Sequence, residues 1–230
     1  MFMRKLARGV VEITGTVSGL SSMARRVRRD DVAILGYHNI VRPEEAGRGD
    51  TSLHMPLPDF VDQIERLART HRIVDLETAL NRTASERPLA VITFDDAYRG
   101  AVTLGLPELA RRGFPAVVFV SPGLLGADST WWDELAEAGR LSPETRRSAL
   151  VDLAGRAEAV RARFLDGRAV PRLPRSYGIA TVQELREHCG GNVSLGSHAW
   201  GHEHLPSLER TDLEANLART SEWLAGSGVP

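Results

Sequence analysis

The chain has 230 residues, 42% of them hydrophobic and 26% charged, and a formal net charge of −1. That length buries a sizeable core and suits one domain with a short appendage, and the near-neutral balance offers nothing to draw a nucleic acid. One cysteine, Cys189, excludes an internal disulfide framework, and no apolar run of about 18 residues exists to cross a bilayer as a helix.

At the N-terminus, Arg4, Lys5 and Arg8 precede a moderately apolar stretch, and Arg25, Arg26, Arg28 and Arg29 follow it. Leu6, Val10, Ile13, Val17 and Leu20 fall on one helical face, so residues 1–30 read as a basic amphipathic helix. Two placements fit it: packing on its own domain, or peripheral membrane contact through residues 4–29. Glu12 and Thr14 interrupt the apolar centre that a secretory signal needs, which points to the cytoplasm or the cytoplasmic membrane periphery. Residues 31–230 then form the main domain. Asp31–His38 reads as a short buried strand, and Asn39–Leu57, rich in Gly, Pro and charge, as a loop.

Pro58 and Asp59 open a helix through Phe60, Ile64 and Leu67; Ile73–Val74 is a brief strand, and Leu76–Leu80 a short helix. Leu89–Phe94 does not alternate, as expected of a strand covered on both faces. A helix over 101–112 stops at Gly113, and Ala116–Val120 is a second continuous apolar strand. Residues 131–166 read as helical and polar. Thr181 and Glu184 have capping-box spacing at the head of a helix to His188. Val193–Leu195 is a strand, and Asp212–Ala225 a helix capped by Thr211. Strands alternating with helices predict parallel β/α units, whose chemistry gathers at the carboxyl ends of the strands.

His38, Asp95, Asp96, His198 and His202 all fall at such ends. Asp95 and Asp96 are adjacent carboxylates that repel unless a cation lies beside them; a helix-capping Asp pair is the plainer alternative. His198 and His202 are spaced to share one helical turn and grip one metal. Two imidazoles and one carboxylate leave an open position for water, as in a catalytic zinc site.

Thr93-Phe94-Asp95-Asp96-Ala97-Tyr98 resembles the TFDDG motif of the polysaccharide deacetylases, the NodB-homology family known as carbohydrate esterase family 4. Ser197-His198-Ala199-Trp200-Gly201-His202-Glu203-His204-Leu205 resembles that family's second, two-histidine motif. Ile34–His38 and Phe114–Val120 resemble its Tyr-His strand and the strand after its first motif, so the likeness spans residues 32–230. The resemblance implies an α/β fold, a distorted (β/α) barrel. It implies removal of acetyl groups from N-acetylated or O-acetylated polysaccharide or oligosaccharide, with a divalent metal of the zinc type. By position, Asp95 is the implied base, and Asp96, His198 and His202 the implied metal ligands.

Ala97 stands where the motif has glycine, which matters if the backbone needs a positive φ there, and Ala199 replaces a hydroxyl residue. The family's Arg-x-Pro-aromatic, Asp-Trp and Leu-x-His motifs have no counterpart before Pro230. The expectation is therefore a barrel incomplete at its C-terminal end, with either an oligomer covering its open edge or poor solubility. The rival reading is a silent homologue that binds metal or carbohydrate. His38 is placed to line the pocket, and it is the one evident reserve for a protonated acid. Trp131 and Trp132 fit sugar stacking or the anchoring of a helix to the core. His54, His71 and His188 read as solvated, and His204 is set aside.

Overall fold

The computed structural model describes residues 32–81 and 87–229; the amphipathic helix expected over residues 1–30 lies outside them. The chain enters through strand β1 (Val32–Tyr37). The expected loop after it contains a short parallel pair, β2 (Asn39–Val41) and β3 (His54–Pro56), each too brief to leave a periodic signal. Helix α1 (Leu57–Thr70) buries Phe60 and Ile64, one turn apart, and β4 (Arg72–Ile73) and α2 (Leu76–Leu80) follow.

All six residues of β5 (Leu89–Phe94) are buried, as its unbroken apolar run requires. A π-helical turn, Ala101–Gly105, leads into α3 (Leu106–Arg112), which ends at Gly113 with φ 69°. Next come β6 (Ala116–Val120) and three short helices, α4 (Trp131–Glu137), α5 (Pro143–Val151) and α6 (Ala157–Phe164). The single helical stretch expected over 131–166 is broken where Gly139, Ala154 and Gly155 take positive φ. Helix α7 (Val182–His188) carries the expected capping box between Thr181 and Glu184. Strand β7 (Val193–Ser197) precedes α8 (Arg210–Gly226). Thr211 does not cap α8, because the helix begins earlier, with Glu209 at the cap position.

The main sheet runs β1-β5-β6-β7, with β4 also beside β5, and every pairing is parallel. Among the described residues it stays open, with β1 and β7 at its ends. That corrects the expectation of a buried β1: only Tyr37 of this strand is buried, and Ile34 is 64% exposed, because an end strand keeps one side free of partners. Phe60 and Phe94 pack on Tyr37 with ring centroids 5.0 and 5.8 Å away, locking α1 onto the sheet. Helices α4 to α6 have a second core around Trp131, Trp132, Leu135 and Val160. Parallel register puts Tyr37 opposite Phe94 and Val120 opposite Ser197, so His38, Asp95 and His198 leave the sheet at one end.

Candidate active site

Two loops at that carboxyl end make the site. The first follows β5. The Asp95 amide donates to Tyr37 O (2.9 Å), and Asp96 and Ala97 then turn through φ 67° and 56°, which buries the Asp96 side chain beneath the sheet end. The second follows β7. His198 N donates to Val120 O (2.9 Å), Ser121 Oγ donates to His198 O (2.7 Å), and Gly123 N donates to Trp200 O (2.7 Å). The two histidines do not share a helical turn as their spacing suggested. They lie in a loop with φ 63° at Ala199 and 61° at His202, and that backbone, not a helix, turns both rings inward.

The structure brings Asp96, His198 and His202 together. Asp96 Oδ1 is 3.3 Å from His198 Nε2 and 3.2 Å from His202 Nε2. Neither contact has hydrogen-bond geometry, and Asp96 Oδ1 is a buried oxygen without a partner. Ligand atoms ~2.0–2.1 Å from a tetrahedral zinc are about 3.3 Å apart, so these separations suit a shared cation better than a hydrogen bond. All three ligand atoms lie within 4.8 Å of one another. Burial pushes the Asp96 carboxyl up to about 6 and the imidazoles of His198 and His202 down, as expected of ligands desolvated with no cation to offset the cost.

Asp95 sits beside the cluster, and its Oδ2 is 3.9 Å from Nε2 of His38. Both side chains are about a third exposed, and both contribute charge felt at Asp96 and His202. Trp131 and Trp132 are 3% exposed, so of their two readings the anchoring one describes them. The Trp132 ring packs 4.6 Å from that of His202, whose Nδ1 is buried without a partner.

Other supports were invisible in the sequence. Trp132 Nε1 donates to Tyr98 Oη (2.6 Å), which donates to Asp133 Oδ2 (2.7 Å), while Asp133 Oδ1 meets His54 Nε2 at 2.8 Å. His54 is thus buried, not solvated, because a fully buried carboxylate 79 residues away claims it. Glu203 accepts from Gly201 N and from Asn216 Nδ2, both at 2.7 Å, and Asn216 Oδ1 accepts from Trp200 N (2.9 Å). His204 N donates to Ala154 O (2.9 Å), and a side chain at Gly155 (φ 70°) would meet His202 O at 3.1 Å. Only the adjacency of Tyr98 to the Asp pair hinted at any of this.

A parallel β/α sheet with an Asp-His-His cluster and a second aspartate beyond its carboxyl end defines an α/β protein whose candidate chemistry sits at the strand ends. Residues 82–228 match the family model described as polysaccharide deacetylase, and the chain belongs to that family. Its fold is like that of IcaB from Ammonifex degensii (15% identity, TM-score 0.53), covering 85% of this chain and 69% of that one. It is also like the Streptococcus pyogenes deacetylase PplD, solved in complex with acetate (16% identity, TM-score 0.54, covering 85% and 68%). A polysaccharide deacetylase from Bacillus cereus aligns at 17% identity and TM-score 0.55, over 85% of this chain and 47% of that one. Comparison with curated proteins gave no match.

Proposed function

We propose that this chain hydrolyses acetyl groups from N-acetylated or O-acetylated polysaccharide at a centre where Asp96, His198 and His202 hold a divalent cation of the zinc type. The observation that carries the reading is the unpartnered Asp96 Oδ1 lying 3.2–3.3 Å from two imidazole nitrogens. When bound, such a cation supplies Lewis acidity toward the acetyl carbonyl and lowers the pKa of water. Asp95, next in sequence and half-buried, is the base: its carboxylate takes a proton from the attacking water as oxygen bonds to the acetyl carbon. His38, across from Asp95, gives a proton to the departing sugar nitrogen or oxygen, so that acetate and a free amine or hydroxyl leave. Asp96 stays ionised and positions the cation, while Trp132 keeps water from the back of His202.

The test is acetate release from N-acetylglucosamine oligomers with zinc or cobalt supplied. Asp95→Asn lowers kcat by about 10²–10⁴ with metal stoichiometry unchanged. Metal uptake by the unmodified chain with no acetate released would overturn the reading in favour of a silent homologue.

A further inference from the structure

A cleft of about 1270 Å³ opens beside the second core, between α6 with the segment after it and the segment that leads into α4. Five of its fourteen lining residues are arginines: Arg99, Arg161, Arg168, Arg172 and Arg175. Lys5 is the only lysine, so arginine is 28 of 230 residues, and the cleft holds nearly three times its share.

Two of the five are spent. Arg99, whose side chain is 9% exposed, donates through Nε to both oxygens of Glu184 (3.0 and 2.9 Å). Arg161 holds both oxygens of Glu134 (2.6 and 3.0 Å), which also accepts from Ser129 Oγ. Arg175 reaches the same Glu184 only at 3.4 Å and is 82% exposed. Arg168 and Arg172 are exposed, and their guanidinium groups have no ion pair among the described residues. Against these three stands one exposed carboxylate, Asp128. A cleft with low-dielectric walls and a surplus of guanidinium focuses field on an anion, and the planar fork matches a carboxylate or a phosphate.

The cleft shares its building segments with the catalytic end. Arg99 follows Asp96 by three residues, and Glu134 follows Trp132, which packs on His202. We propose that the cleft binds the carboxylate or phosphate groups of an acidic polysaccharide, so that the acetylated polymer presented to Asp95 and Asp96 is a polyanion. This rests on the deacetylase reading for the catalytic site, but the binding itself does not.

Calorimetric titration of the metal-free chain tests it with three probes: oligogalacturonate, a neutral N-acetylglucosamine oligomer of equal length, and inorganic phosphate. Oligogalacturonate binds about tenfold more tightly than the neutral oligomer at low salt, and added salt erodes the margin. Arg168→Ala with Arg172→Ala removes the margin, and the paired lysine substitutions keep most of it; both positions are exposed. Equal affinity for acidic and neutral oligomers overturns the proposal, as does a margin that survives the alanine pair. Complete displacement by equimolar phosphate would make this a small-anion site and overturn the polymer assignment. None of these readouts needs turnover, so acetate release from neutral oligomers judges the deacetylase reading separately.

Discussion

Of the six non-glycine residues with positive φ among the described residues, four lie in the two loops of the site: Asp96, Ala97, Ala199 and His202. The left-handed conformation costs a side-chain-bearing residue about 1–2 kcal/mol, and such strain persists where surrounding contacts over-determine it. At Ala97 those contacts are full burial and a hydrogen bond from Ala180 N to its carbonyl (2.9 Å). Ala97→Gly should therefore raise the unfolding free energy by about 0.5–1 kcal/mol in chemical denaturation. A loss of stability would mean that the packed methyl outweighs the backbone strain. The sequence flagged this position, because alanine stood where similar sequences carry glycine. It could not flag His202: a four-residue spacing reads as a helical turn, and only the fold reveals a loop that reaches the same end by another backbone path.

Elements matter here through what they dock. Helix α8 holds the two-histidine loop through Asn216, which serves both Trp200 N and Glu203. Asn216→Ala leaves a half-buried carboxylate and an amide short of a partner, at a cost of about 1–3 kcal/mol. It should also weaken zinc binding by about 10–100-fold in a competition titration with a chelating dye. Unchanged metal affinity would show that the loop holds its shape without the helix. Legibility followed range. The capping box of α7 was readable because Thr181 and Glu184 are three residues apart, and the stop of α3 because Gly113 is a local signal. The cap of α8 was misread by two positions, and the breaks between α4, α5 and α6 were missed, since polar helical composition says little about where a chain turns. Asp133 and His54 lie beyond any local pattern.

For the whole molecule, the balance of charge and burial at the site ties stability to pH. The Asp96 carboxyl titrates at about 6 when folded, against an ordinary 3.8. Between those values the metal-free folded chain holds a proton that the unfolded chain lacks, so its stability falls as pH rises, by at most about 3 kcal/mol. The imidazoles of His198 and His202, pushed down by burial, slope the opposite way: stability is lost as pH drops through their folded range. A cation needs all three groups deprotonated, and below about pH 6 the Asp96 carboxyl is protonated. Zinc should thus raise the unfolding temperature more at pH 7 than at pH 5 in a calorimetric scan. Equal rises would remove Asp96 from the ligand set. The parallel β/α architecture and the convergence of its strand ends were readable from apolar runs and motif positions. The exposed edge of β1 was not, because a run of apolar residues looks alike at the centre and the margin of a sheet.

The stretch from His198 to His204 is moored on three sides: to the end of β6 through Ser121 and Gly123, to α8 through Asn216, and to the short helices through Ala154 and Trp132. The proposed ion, seated there, would act as a keystone. Slack introduced at any one of those moorings, however far from the chemistry, is felt by the other two as a looser grip on the ion.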